Sequence, residues 1–377
     1  MTTGTIRLID KEKRHRFPYR WTLKDALFTR DKGSVFSCFA CAGGSTMGYK
    51  LAGFDVIGCN EIDPKVNSLY VRNFHPSLNY LCDIRELVKK AEAHELPEEL
   101  FNLDVLDGSP PCTSFSMAGN REKDWGKKKK FREGQVEQEL DTLFFDFIAL
   151  AKALKPKVVI AENVKGLVIG KAKEYLHRIL ESFENAGYIP CWKLLNAGYM
   201  GVPQMRERVF FIAVRKDFGS KIKTDLSTKI LDIDLEFGET PIKFGEFCDY
   251  KGREIKSPKY RFLWDKRLSS DKSLAEAHIR ELGKRSFFSI KLCHKDSCLS
   301  TLLPMGHYDM LYFDKPMFLS IGDYILGSTF PTDYKADDEK SLGYAIGMSV
   351  PPVMMAQVAA RVYEQILTKI KIDDTAK

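Results

Sequence analysis

The segment Leu106-Asp107-Gly108-Ser109-Pro110-Pro111-Cys112-Thr113 places one cysteine at the end of a stiffened turn. Proline fixes φ and cannot continue a helix or a ladder, so two in succession hold Cys112 in a defined loop. Structural cysteines are mostly small buried apolar residues, and a Gly-Pro-Pro loop is a poor setting for one. A thiol presented there is suited to nucleophilic attack, and its ionisation needs cationic or hydrogen-bonding surroundings. Glu162, in Ala161-Glu162-Asn163-Val164, closes a later apolar run and offers an acid at the same kind of strand end. Gln204-Met205-Arg206-Glu207-Arg208 precedes a further apolar run. From spacing alone it is equally a charged start to a strand and a source of two guanidinium groups.

A second constellation suits a nucleoside. Phe39-Ala40-Cys41-Ala42-Gly43-Gly44 follows an apolar run and does not fit G-x-G-x-x-G. Paired glycines at a strand-to-helix turn still let a ligand approach the backbone. Glu61 follows about 20 residues further on, the place of an acid that holds ribose hydroxyls. Asp83 falls near the next strand end, where it could accept from an adenine amino group. A ligand without phosphates does not need the third glycine of the dinucleotide fingerprint.

These residues need a scaffold, and the pattern provides one. Val35–Phe39, Asp55–Cys59, Leu103–Leu106, Val158–Ala161 and Val209–Val214 read as buried strands. Thr46–Ala52, Lys65–Asn73, Leu140–Leu154 and Tyr175–Asn185 read as helices between them, and Pro351–Ile370 as a final helix. Strands alternating with helices imply an α/β fold with a doubly wound, mostly parallel sheet covered on both faces. Ligands of such sheets lie beyond the carboxyl ends of the strands. Residues 218 to about 300 lose the alternation and read as a second, smaller inserted domain. The domain expectation is a basic extension over 1–33, a catalytic domain over 34–217 and 300–377, and an insert over 218–299.

Composition narrows the class. The chain has 377 residues, 58 Lys plus Arg against 51 Asp plus Glu, and a formal charge of +7. At 44% hydrophobic it is too apolar for disorder. No run approaches the roughly 18 uncharged apolar residues of a membrane span, and Met1 to Lys32 has no apolar signal core. Nine cysteines in a chain this large point to reduced thiols in a cytoplasm rather than a disulfide framework. Cys38-x-x-Cys41 and the Cys293, His294, Cys298 group are too sparse for zinc, so no metal is expected.

Taken in order, the motifs resemble those of the DNA cytosine-5 methyltransferases. They are Phe39 to Gly44, Glu61, Asp83, Pro110-Pro111-Cys112, Asp141-Thr142-Leu143-Phe144, Glu162-Asn163-Val164, Gln204-x-Arg206-x-Arg208 and Gly347-Met348-Ser349-Val350-Pro351-Pro352. The resemblance covers most of the chain from Ser34, excluding 218 to about 300. It implies S-adenosylmethionine as cofactor and double-stranded DNA as substrate. It also implies a flipped-out cytosine attacked at C6 by Cys112. Glu162 would hold N3 and the exocyclic amine, and Arg208 with Arg206 the base O2. The cofactor contacts carry over to Phe39, Ala42, Gly43, Gly44, Glu61, Ile62, Asp83, Ile84, Pro111, Leu143 and Ser349. By the same resemblance 117–138, with Lys127 to Lys130, is a mobile basic loop, and the insert is a target-recognition domain. Cys41 stands where the family has a glycine, and Met348 where it usually has asparagine.

The expectation is a monomeric, cytoplasmic, bacterial or phage enzyme of restriction-modification type that acts away from membranes. A tRNA cytosine-5 methyltransferase keeps the same chemistry. A catalytically impaired DNA-binding protein of the same fold keeps only the binding.

Overall fold

The computed structural model describes residues 15–111, 142–169, 173–222, 231–284, 290–304 and 310–370. Cys112, Asp141 and the lysine-rich stretch 127–130 lie outside the described residues. The chain packs as two compact units. One comprises Phe28–Leu195, Glu207–Glu236 and Met355–Lys377; the other comprises Met1–Leu27, Asn196–Arg206 and Phe237–Met354.

The first of these carries the sheet. Its strands are β1 (Ser34–Cys38), β2 (Asp55–Glu61), β3 (Leu78–Leu81), β4 (Val105–Gly108), β5 (Val158–Val164), β6 (Tyr188–Asn196) and, beyond the short β7 (Gln204–Met205), β8 (Glu207–Arg215). They lie in the order β3-β2-β1-β4-β5-β8-β6. The pairs β1·β2, β1·β4, β2·β3 and β4·β5 are parallel, whereas β5·β8 is antiparallel. Chain order therefore reverses between β1 and β4, the switch point at which doubly wound sheets bind ligands. The connecting helices are α1 (Gly44–Leu51), α2 (Pro64–Phe74), α3 (Ile84–Glu92), the single turn α4 (Glu98–Phe101), α5 (Leu143–Leu154) and α6 (Lys173–Asn185).

Alternation along the strands sorts the two faces. Phe36, Cys38, Leu106, Val159, Ala161, Val209, Phe211 and Ala213 join a core with Leu87 of α3, Phe147 of α5 and Ile179 of α6. The intervening Val35, Val105, Val158, Ile160, Phe210 and Ile212 are equally buried on the other face. A sheet covered on both sides produces such near-continuous apolar runs, which is why these strands are legible in the sequence.

Two strands are not. β3 and β6 form the edges of the sheet. Leu78-Asn79-Tyr80-Leu81 alternates between half-buried and exposed, and Trp192, Lys193 and Leu194 of β6 are exposed. Edge strands need no apolar run, so neither announces itself. The expected third strand also shifts, from Leu103–Leu106 to Val105–Gly108.

The other unit holds β7, which pairs with β10 (Leu299–Ser300), and β9 (Lys291–Cys293), which pairs with β11 (Met310–Tyr312). Its helices are α7 (Pro258–Asp265), α8 (Leu274–Leu282), α9 (Ile321–Gly327) and α10 (Glu339–Met348). Ile255, Leu263, Trp264, Leu274, Ala277, Leu292 and Leu311 form a local core.

The unit is assembled from segments far apart in sequence. Arg206 donates through Nη1 to the Leu302 carbonyl and through Nη2 to those of Gly347 and Ser349, each at 3.1 Å. Gln204 Nε2 donates to the Gly327 carbonyl at 3.1 Å. Such bonds give 196–206 and 300–354 a common home, so the packing divides the chain elsewhere than at 218 and 299. The described part of the N-terminal segment packs through Trp21. Trp21 is 4% exposed, and its indole N–H donates to the Thr329 carbonyl at 2.9 Å.

The final helix, α11 (Pro352–Val362), continues into a wider turn over Tyr363–Leu367. The segment Glu339–Ile370 contains a window long and apolar enough to cross a membrane, with mean hydropathy 1.2, but 89% of that window is buried within the protein, as in a core helix.

Candidate active site

The turn after β1 is wound left-handed at alternate residues: Phe39 has φ 51°, Cys41 φ 48° and Gly43 φ 81°. For the two non-glycine residues this costs on the order of 1–2 kcal/mol each. The strain at Cys41 supplies a physical reason for glycine at that position in the family pattern. Its backbone N–H donates to Glu61 Oε2 at 2.9 Å, tying the turn to the end of β2. Gly43 has no freedom to change. A Cβ there would lie 2.1 Å from the Phe74 ring. We expect Gly43→Ala to lower unfolding stability by about 2–4 kcal/mol. Urea unfolding measures this, and an unchanged midpoint would contradict the geometry.

Glu61, at the end of β2, accepts the amides of Cys41, Ile62 and Asp63 at 2.8–2.9 Å. Burial pushes its carboxyl up, and the three amides only partly offset this. Oε2 receives one of these bonds, so it keeps a lone pair for a further donor such as a ribose hydroxyl. Asn60 Nδ2 donates to the Tyr80 and Cys82 carbonyls at 3.1 and 2.8 Å, tying the exit of β2 to that of β3. Asp83 follows as the N-cap of α3 and accepts the Arg85 amide at 2.9 Å. The Arg85 guanidinium grips it through Nε at 2.9 Å and Nη2 at 2.6 Å. Burial raises the Asp83 carboxyl, but this fork outweighs it and holds the group below the usual range. Ile84 and Leu143, each 2% exposed, open α3 and α5 and belong to the same core, against which Phe39 packs. Ala42 is fully buried, and Gly44 begins α1.

The Pro110-Pro111 segment is anchored from the neighbouring strand. Asn163 Nδ2 donates to the Pro110 carbonyl at 3.1 Å, and its Oδ1 accepts the Val164 amide at 2.8 Å. Pro111, half-buried, is the last described residue before Cys112. One residue before Asn163, Glu162 is 8% exposed and pairs with Arg208 Nε at 2.8 Å across the antiparallel β5·β8 ladder. Burial lowers the Arg208 guanidinium and the Glu162 charge pulls it back. The result is a buried carboxylate oriented by one guanidinium contact, at the carboxyl end of β5 and beside the strand that delivers the Pro-Pro loop.

Arg206 and Ser349 belong to the other unit. With both terminal nitrogens on backbone carbonyls, Arg206 organises that unit, a job distinct from that of Arg208 two residues later. Ser349 follows α10 and is 4% exposed; among the described residues its Oγ has no hydrogen-bond partner. A buried hydroxyl of this kind calls for a ligand or a water. Within the sheet unit, the spare lone pair on Glu61 fits a ribose hydroxyl of the adenosyl cofactor implied by the sequence.

Other cysteines fit a structural role. Burial pushes Cys38 well up, and Cys59 and Cys191 up to about 12, so these thiols stay protonated. Among the described residues no group of three or more His, Cys, Asp or Glu is arranged to hold a metal ion. Sequence reasoning passed over Asp107. It lies in β4, 1% exposed, and accepts from Ser37 Oγ at 2.7 Å and the Tyr49 hydroxyl at 3.2 Å. The available signal was an acid inside a strand that is otherwise apolar.

The comparisons with known proteins give a family and a fold. The family model for C-5 cytosine-specific DNA methylase matches residues 33–293. The type II methyltransferase M.FnuDI of Fusobacterium nucleatum is 37% identical over 183 residues, 48% of this chain and 47% of that protein. The orphan methyltransferase M.SPRI of Bacillus phage SPR is 33% identical over 183 residues, 48% of this chain and 37% of that protein. The match to M.NgoPII of Neisseria gonorrhoeae spans 53% of that protein, so the chain spans about half the length of the curated relatives it matches. Among solved structures, DNMT2 of Spodoptera frugiperda superposes with a TM-score of 0.60 at 15% identity, over 88% of this chain and 99% of that one. At this identity the likeness speaks for the fold alone.

Proposed function

The chain belongs to the C-5 cytosine-specific DNA methylase family, and from that premise we propose that it methylates C5 of a flipped-out cytosine in a specific site of double-stranded DNA. The observation that carries this reading is the buried Glu162–Arg208 pair at 2.8 Å, beside a Pro-Pro loop fixed by Asn163. An acid and a cation held on rigid strands are what activation of a heteroaromatic ring requires.

In the proposed mechanism the Cys112 thiolate adds to C6 of cytosine. Glu162 accepts from the exocyclic amine and passes a proton to N3 as the thiolate adds, so that the neutral adduct is an enamine with a nucleophilic C5; the proton returns when the thiol is released. Arg208 keeps Glu162 oriented and contacts O2 of the ring. S-adenosylmethionine, when bound, supplies an electrophilic methyl group. Loss of the C5 proton and release of the thiol then restore aromaticity and free Cys112. Glu61 receives the ribose hydroxyls, Asp83 the adenine amine, and Phe39, Ile62, Ile84, Pro111 and Leu143 the apolar faces. The backbone of Ala42, Gly43 and Gly44 would serve the methionine end; the family pattern gives Ser349 the same role. Arg206 serves by holding Ser349 through its carbonyl.

Target recognition falls to the basic stretch around α7. Lys251, Arg253, Lys256, Lys259, Arg261 and Lys266 are all exposed, and Arg267 lies over the Trp264 ring with its Cζ 3.3 Å from the centroid. Such a surface suits a phosphate backbone. We take the protein to act as a cytoplasmic monomer.

The test is label transfer from methyl-tritiated S-adenosylmethionine to duplex DNA and, in parallel, to tRNA, followed by bisulfite sequencing of the DNA. Label in DNA, at cytosines within one sequence context, is expected. Label confined to tRNA, or absent from both, overturns the reading.

A further inference from the structure

Asp107 is a buried carboxylate that the mechanism above leaves idle. It stands next to last in β4, in register with Ser37 of β1. These two strands flank the point where chain order reverses. Its side chain sits opposite the α3, α5 and α6 core, among hydroxyls of Ser37 on β1 and of Ser45 and Tyr49 on α1. The left-handed turn of 39–43 joins those two elements. All its partners are neutral, and among the described residues no lysine, arginine or histidine pairs with it. Glu162, the charged group that acts on it, repels it and already has its own cation in Arg208.

A carboxylate taken out of water without a counter-charge is costly, and proteins keep one only where something offsets it. Under the cofactor reading on which this rests, the ligand of this turn brings a positive sulfonium to the switch point. Its product, S-adenosylhomocysteine, is a neutral thioether. We propose that Asp107 is the counter-charge to the cofactor's sulfonium, and that it biases the site toward the methyl donor over the spent product. Loss of the positive charge on methyl transfer then weakens binding and favours product release.

The protonation of Asp107 supports this. Burial pushes it up to about 7; the Ser37 and Tyr49 hydroxyls pull it back, and Glu162 adds to the rise. The other titratable groups near enough to feel its charge are Cys38, on the other face of β1, Tyr49 on α1 and Tyr70 on α2. All three are pushed well above their ordinary values, so none changes charge near neutrality. A nearby cation favours the ionised carboxylate, so binding of the sulfonium form releases a proton from Asp107 while the thioether does not. The sign is fixed: affinity for the methyl donor rises as pH rises through about 7 and levels off above it, once Asp107 is ionised in the free protein as well.

Isothermal titration of the full chain with S-adenosylmethionine and S-adenosylhomocysteine, between about pH 6 and about pH 8 in two buffers of different ionisation enthalpy, reads both effects. Wild type is expected to release a fraction of a proton only with the methyl donor. Its preference for the donor over the product should widen with pH. Asp107→Asn should weaken the donor about ten-fold, leave the product within about two-fold, and abolish the proton release. Equal loss for both ligands in Asp107→Asn, or no proton release in wild type, overturns the proposal; the second readout needs no variant to fold. Failure of wild type to bind either ligand overturns the cofactor reading itself and, with it, this one.

Discussion

Cys112→Ser will leave methyl transfer to DNA at least about 1,000-fold below wild type, because the hydroxyl is too weak a nucleophile to add to C6 and C5 then has no enamine character. The substitution is nearly isosteric, and the loop approach is held from outside it by the Asn163–Pro110 bond. Folding and cofactor affinity are therefore expected to stay within about two-fold of wild type. Single-turnover label transfer on duplex DNA is the measurement. Activity within ten-fold of wild type would remove Cys112 from the mechanism.

The second large effect is at Glu162. Glu162→Gln keeps the volume and one acceptor but loses the carboxyl that can pass a proton to N3 as the thiolate adds. The rate should fall roughly 100- to 1,000-fold. The variant also leaves the Arg208 guanidinium, buried and already lowered by burial, without its counter-ion. Removing one partner of such a pair costs on the order of 3 kcal/mol, so thermal stability should fall as well. The two losses separate in a Glu162→Gln, Arg208→Met protein. Replacing the stranded cation restores stability, while methyl transfer stays low. Recovery of rate along with stability would mean that Glu162 is only a structural ion-pair partner.

The residues that carry these predictions were legible because each breaks a local rule. Two prolines before Cys112 and an acid closing the apolar run 158–161 are out of place in ordinary strand ends, and Glu61 stands at the end of β2 for the same reason. The central strands were legible because burial on both faces writes itself as apolar runs. β3 and β6 were not, since an edge needs half of that signal. The grouping of segments was hidden for another reason. The bonds from Gln204 and Arg206 to carbonyls between 302 and 349 join parts of the chain more than ninety residues apart, and no local pattern encodes them. The antiparallel run of β8 and the partner of Arg208 are likewise products of pairing. Asp107 was passed over because the expected strand stopped at Leu106; the register with Ser37 places it inside the sheet.

The central claim is covalent catalysis through Cys112. Duplex DNA in which cytosine is replaced by 5-fluorocytosine tests it most directly, since fluorine at C5 blocks the elimination that frees the thiol. With S-adenosylmethionine present, the protein is expected to form a denaturation-resistant adduct of one chain per modified site, which peptide mapping traces to Cys112. If the protein methylates ordinary duplex DNA yet forms no such adduct, or forms one through another residue, the account is wrong.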